Sequence, residues 1–235
     1  MPVSTPEILD LLEAYYGLQE PSWPTEPFHF LIWWHCGYPA SDTNCSKGWA
    51  SLVKTIGITP SQLHAASVDT LANTLAPGGM IPLIRSQRIK AIVQQIETRF
   101  DGDLAGWLSV NRPSARKTLK TFPGISDPGA DRILLFGDIA PLAAVPSGCP
   151  HVLARIQHGS EADSYVANYK AAKKEISRDV AEDFSSRKRA YLLLKRHGQA
   201  LCKPRAPICG ICPASLNYAW RIAKQRQVAN PVQPD

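Results

Sequence analysis

Apolar residues recur three and four positions apart along almost the whole chain, and the breaks in that rhythm fall at glycine and proline. The period is helical, because side chains on a 3.6-residue turn return to the same face every three or four residues. Arg85 to Phe100 is the clearest stretch, with Ile89, Ile92, Val93 and Ile96 on one face. Further helices are expected around Ile8–Tyr16, Phe28–Trp34 and Trp49–Ile56, then one starting at Thr59-Pro60-Ser61-Gln62 with an N-cap and Pro60 at its first position, a short one starting at Val68–Leu71, and others around Ala115–Thr121, Pro150–His158, Ser164–Ile176 and Arg187–Arg196. Two-residue alternation is scarce, so the sequence predicts an all-α fold.

With 235 residues, 44% hydrophobic and 20% charged, the chain has enough apolar material for one large domain or two small ones. Its net charge of +6 suits a polyanionic partner without requiring one. The N-terminal residues lack a basic-then-apolar leader pattern, and no apolar run approaches bilayer length, so a cytoplasmic protein with no membrane partner is expected. In that compartment six cysteines read as free thiols or metal ligands rather than a disulfide frame.

The segment Leu119–Phe136 reads helix, tight turn, helix, with Pro123-Gly124 ending the first helix. Gly129 and Ala130 are small enough to let the second helix approach closely, and Ile133, Leu134 and Phe136 form its expected buried face. Amides at the start of that helix lack intrahelical acceptors, and its dipole favours an anion such as a phosphate. An ordinary helical hairpin punctuated by glycine reads equally well. Near the C-terminus, Cys202, Cys209 and Cys212 follow His197-Gly198 with the spacing of a C-x6-C-x2-C-x5-C metal loop, but Tyr218 stands where the fourth cysteine is due.

Taken together these motifs resemble the endonuclease III superfamily of helix-hairpin-helix DNA glycosylases. Phe122-Pro123-Gly124-Ile125-Ser126-Asp127-Pro128-Gly129-Ala130 is similar to its hairpin, and the cysteine loop about seventy residues downstream is similar to its iron–sulfur loop. Pro27–Ile32 resembles the helix before its base-probing loop, with Lys54–Gly57 and Arg88–Ile92 in register, so the likeness covers nearly residues 8–220. The resemblance implies a two-lobed fold: a six-helix barrel lobe over 26–134, and a second lobe from 1–25 plus 135–223 carrying the cysteine loop. A disordered tail over 224–235 completes this reading. It also implies a monomer, nucleoid-associated, with double-stranded and lesion-containing DNA as partner and a base flipped into a cleft. Gly124, Ile125, Ser126, Asp127, Gly129, Tyr38, Pro39 and Lys120 are then the expected DNA-binding residues.

The resemblance makes the catalytic positions conspicuous for what occupies them. Bifunctional members place a nucleophilic lysine where this chain has Pro128; Lys117 and Lys120, one helix earlier, read as solvated or phosphate-facing. Monofunctional members place an aspartate at the next helix start, where Gly148 or Cys149 stands depending on the register. Cys149 reads as a helix N-cap before Pro150, and His151 as structural. Asp138 reads as a solvated turn. The base-probing glutamine falls at Pro39, leaving Tyr38 as a wedge or as part of the cleft wall. Three thiols fall short of the four ligands a cubane cluster takes. A labile cluster, or zinc with His197, is one outcome. A metal-free loop packed around Leu216, Tyr218 and Trp220 is the preferred one, so no cofactor is expected. The sequence reading is thus a DNA-repair protein, either a monofunctional N-glycosylase without lysine-dependent lyase activity or a catalytically degenerate DNA-binding relative.

Overall fold

Most helices begin at a side chain that accepts hydrogen bonds from the first, otherwise unpaired, amides. In the computed structural model, which describes residues 3–214, Ser4 caps α1 (Thr5–Tyr16) and Glu26 caps α2 (Pro27–His35). Ser41 caps α3 (Asp42–Thr55), Thr59 caps α4 (Pro60–Ala65), and Ser67 caps α5 (Val68–Leu75). A 3-10 turn at Ala76–Gly78 leads to α6 (Pro82–Phe100), followed by α7 (Leu104–Val110), α8 (Arg112–Leu119) and α9 (Asp127–Phe136). The chain continues through α10 (Val152–His158), α11 (Tyr165–Asp179) and α12 (Phe184–Ala200). Among the described residues there is no strand, and none of these helices is long and apolar enough to cross a membrane. Leu216, Tyr218, Trp220 and the 224–235 tail lie outside the described residues.

Contacts divide the chain into two compact units, one of residues Pro21–Ala140 and one joining the segment up to Glu20 with the segment from Pro141 on. In the first unit, α2 runs through the interior and buries Phe28, Phe30, Leu31, Ile32 and Trp33. Such a helix has apolar residues on every side, so its sequence shows no polar stripe. The Arg132 guanidinium of α9 lies 3.8 Å from the Trp23 ring centroid and 4.9 Å from that of Phe30, and Asp42 stands 3.4 Å away. In the second unit, Ile8, Leu9 and Leu12 of α1 share a core with Val152 and Leu153 of α10, Ile176 of α11 and Leu193 of α12.

Three local expectations change. All residues of α9 from Ala130 to Phe136 are buried, not only Ile133, Leu134 and Phe136; Asp131 is accommodated by a 2.6 Å ion pair with Arg116. A Cβ on Gly129 would meet Ile125 at an ordinary 3.5 Å, so that glycine is not what permits close packing. The close approach belongs to Gly48 and Gly78, where a Cβ would lie 2.2 and 1.8 Å from the Cys36 carbonyl oxygen. Helix α7 escapes the apolar pattern because it is a single short stretch containing Gly106, whose amide the Asp103 carboxylate caps.

Candidate nucleic-acid interface

The hairpin turn between α8 and α9 leaves backbone donors unused. Thr121 and Phe122 amides close the end of α8, and the Ile125 amide reaches the Phe122 carbonyl. No acceptor within the described residues serves the amides of Gly124, Ser126 or Gly129, and Pro128 has no amide proton. Ser126 begins α9 without a side-chain cap hydrogen bond, and the Asp127 carboxylate stands in the first turn at the positive end of the helix dipole. Gly124 and Ser126 are exposed, whereas the Ile125 side chain is buried and anchors the turn. Gly124 has φ +67°, a region other residues adopt only with strain.

Two charges flank these donors. The carboxylate of Asp127 stands 2.6 Å from the Lys120 ammonium and 3.3 Å from the Arg116 guanidinium. Lys120 is therefore already paired, which the sequence did not reveal. Arg88 of α6, half-buried, comes within 3.8 Å of the position a Gly124 Cβ would occupy. It has no carboxylate partner among the described residues and is the uncommitted cation at the turn.

Beneath the turn, Tyr38 Cε1 and His35 Cε1 lie 3.6 and 3.2 Å from that same Gly124 Cβ position. Tyr38 stacks on Trp34 with ring centroids 4.8 Å apart, and the following Pro39 is exposed after a cis peptide bond. His35 is fully buried. Its Nε2 stands 2.8 Å from the Pro123 carbonyl oxygen, while Nδ1 is buried without a partner. Burial takes the His35 imidazole down to about 4, opposed by the bond to Pro123 and assisted by Arg88 and Arg85. The ring is neutral near pH 7, so Nε2 carries the proton and donates to Pro123.

A second exposed feature lies at the start of α6. Met80, Ile81, Leu83 and Ile84 are 70%, 39%, 49% and 43% exposed, forming an apolar tip. Ile81 has φ +53°, strained for a β-branched residue. The backbone beneath is clamped by fully buried Arg85, whose guanidinium donates to the carbonyls of Met80, Gly79 and Leu75 at 2.9, 2.7 and 3.0 Å and also to that of Cys36. Arg85 thereby ties the tip to the chain segment that carries Tyr38. The sequence hid this because an arginine on an amphipathic helix reads as solvated.

The positions where the resemblance expects catalytic groups carry none of that chemistry. Pro128 sits in the first turn of α9 and offers no amine. Gly148 is exposed, and a Cβ there would meet nothing within 4 Å. Cys149 does not cap α10, contrary to expectation: the cap is His151, without a side-chain cap bond, because Cys149 is buried with Sγ 3.7 Å from the Leu194 carbonyl oxygen. It packs against Gly198, where an added Cβ would lie 2.2 Å from the Cys149 Cβ. His151 is tied 2.8 Å from the Cys202 carbonyl oxygen.

The cysteine loop is held by hydrogen bonds. Arg155 donates to the carbonyls of Lys203 and Pro204 at 3.0 and 2.9 Å and pairs with Glu161 at 2.5 Å. The Ile208 amide bonds the Leu201 carbonyl at 2.8 Å. Fully buried His197 has Tyr16 Oη 3.1 Å from Nδ1 and Cys212 Sγ 3.5 Å from Nε2. Burial lowers His197 to about 4, with a smaller contribution from His151, and pushes the Cys202 thiol up to about 11. Among the described residues no three ligating side chains stand close enough to share an ion, and the fourth loop position, Tyr218, lies outside them. Cys202, Cys209 and Cys212 supply three of the four thiolates that a cubane cluster takes.

No family model matches the chain. It is 24% identical over 177 residues to the thymine/uracil-DNA glycosylase of Pyrobaculum aerophilum, a match covering 72% of this chain and 70% of that protein. A non-covalent endonuclease III–DNA complex has a chain that superposes with TM-score 0.74 at 18% identity, covering 96% of this chain and 99% of that one. A thermostable thymine-DNA glycosylase superposes with TM-score 0.69 at 15% identity, covering 90% and 93%.

Proposed function

We propose that this chain is a divergent member of the helix-hairpin-helix DNA glycosylase superfamily, a reading supported by its likeness to a thymine/uracil-DNA glycosylase and to endonuclease III, and that it grips duplex DNA, lesion-containing duplex included, through the Pro21–Ala140 unit. The observation that carries the reading is the grouping of unused amides at Gly124 and Ser126 with the uncommitted Arg88. Phosphate oxygens accept from the two amides at the positive end of α9, and Arg88 supplies the neutralising charge. These contacts hold register on the duplex without reading sequence. Tyr38 and the apolar tip at Met80–Ile84 offer flat and apolar surfaces to bases exposed at a damaged or unstacked step.

The protein works as a binder rather than as a glycosylase of the usual kind. Lysine-dependent strand cleavage needs an amine that Pro128 lacks, and Cys149 is consumed by the core. At Gly148 no carboxylate is present to stabilise charge developing on the sugar, a contribution of about 3–4 kcal/mol in comparable sites. The cysteine loop serves this function without metal, its fold held by Arg155, His151 and His197. Purified protein is expected to be colourless, without stoichiometric iron or zinc; a brown absorbance or one zinc per chain overturns that part.

A rival reading, base excision by monofunctional chemistry, is favoured by one observation: the relative from Pyrobaculum aerophilum is a thymine/uracil-DNA glycosylase. Incubation with duplexes carrying G·T, G·U and other altered bases, followed by hot alkali, separates the two. Native protein is expected to bind in a salt-sensitive gel shift and leave the strands intact. Gly148→Asp, which introduces a carboxylate where there is open space, is the variant to compare. Alkali-labile cleavage by native protein establishes the rival; absence of any salt-dependent shift ends both.

A further inference from the structure

His35 is fully buried at the end of a helix whose other buried residues, Pro27, Phe28, Phe30, Leu31, Ile32 and Trp33, are all apolar. Replacing it by leucine on volume grounds alone would avoid the cost of desolvating an imidazole, one nitrogen of which, Nδ1, finds no partner. Among the described residues the ring makes one long-range bond, Nε2 to the Pro123 carbonyl, 2.8 Å and 88 positions apart in sequence. Pro123 immediately precedes Gly124, whose left-handed φ turns the chain so that its own amide and that of Ser126 stay unbonded. The carbonyl that His35 holds belongs to the same peptide unit as the Gly124 amide, so fixing one fixes the direction of the other.

We infer that His35 is a positioning residue for the hairpin: its bond to Pro123 sets the aim of the Gly124 amide and links the hairpin to the Tyr38 turn that ends α2. The inference rests on the proposed DNA-binding reading and names a residue that this reading does not need. The linkage runs through short contacts. Three residues after His35, Tyr38 stacks on Trp34, and Tyr38 and His35 both line the space that a Gly124 side chain would enter. The Cys36 carbonyl between them is held by Arg85, which also clamps the apolar tip. The hairpin, the Tyr38 turn and the tip therefore rest on one hydrogen-bonded frame within this unit, and His35 is its connection to the hairpin.

The test compares His35→Gln, which keeps a donor near the Nε2 position, with His35→Leu, which keeps bulk and removes it. Each full-length variant is titrated with a duplex containing one tetrahydrofuran abasic analogue at fixed salt, beside urea unfolding. Expected is a loss of affinity of about tenfold for His35→Leu and of no more than about twofold for His35→Gln. Equal weakening in both, or none in His35→Leu, overturns the inference. A long-range 15N–1H spectrum of the wild-type imidazole decides the matter independently of DNA and of variant folding. The Nε2-protonated tautomer is expected, and a ring protonated at Nδ1 alone overturns it. Failure of the wild type to bind duplex removes the functional reading while leaving the tautomer to report on the bond.

Discussion

The hairpin turn at Pro123–Ser126 and the cysteine loop at Leu201–Cys212 both carry chain away from a helix end, and they treat their polar backbone in opposite ways. In the hairpin, amides have no acceptor and Arg88 has no carboxylate partner among the described residues, while the left-handed turn at Gly124 is held from below by His35. In the cysteine loop, carbonyls of Cys202, Lys203 and Pro204 are all taken by His151 and Arg155, and His197 is occupied by Tyr16 and Cys212. An unsatisfied exposed donor is a standing offer to a ligand, whereas an internally satisfied one stabilises the fold and offers nothing. On the proposed reading, the first region is the one that binds and the second is scaffold.

The largest effect that tests this contrast is on stability. Arg155→Met strands two loop carbonyls and the Glu161 carboxylate, and is expected to destabilise the protein by about 3 kcal/mol in urea unfolding. A loss below about 1 kcal/mol would mean that something else holds the loop. Acid should reveal both regions together. His35 and His197 each have a folded value near 4 against an ordinary 6.5, so the unfolded chain binds protons more readily between those values. Their contribution is intact above pH 6.5 and declines as pH falls towards 4, by up to about 3 kcal/mol for each. Unfolding free energies measured from pH 7.5 to 4 check this; a flat profile contradicts the neutral, buried rings.

Smaller effects fall on binding. Arg88→Gln should weaken duplex affinity on the order of tenfold and flatten its salt dependence while leaving stability unchanged. A variant that loses stability and affinity in proportion would make Arg88 structural. Asp127→Asn should act in the other direction, because the carboxylate both repels phosphate and occupies Lys120. A gain in affinity of roughly twofold to threefold is expected, since exposed pairs of this kind are weak. Unaltered binding would place the duplex away from the start of α9.

Much of the fold was written in local chemistry. Ser4, Thr59, Ser67 and Ser164 cap the helices they precede, and the apolar face of α6 is the one that Ile89, Ile92, Val93 and Ile96 spell out. The hairpin was legible for the same reason: Pro123-Gly124 forces a turn whatever surrounds it. Helix α7 and the burial of every α9 residue from Ala130 to Phe136 were not legible, because a short helix and a segment enclosed on all sides both lack the two-faced pattern that periodicity detects. Cys149 was misassigned as a cap because proline follows it, while Leu194 and Gly198, 45 and 49 positions later, make it core.

By itself the sequence determined which segments are helical, where the chain must turn, and that Pro128 and Gly148 can supply neither amine nor carboxylate, because each is a property of a residue and its near neighbours. Only the tertiary structure decided that Lys120 is already paired, that Arg88 has no carboxylate partner among the described residues, that Arg85 is buried under the apolar tip, and that His35 reaches Pro123. These depend on which distant side chains come within 3 Å of one another, and a charged or titratable group takes its chemical role from that company rather than from its own identity.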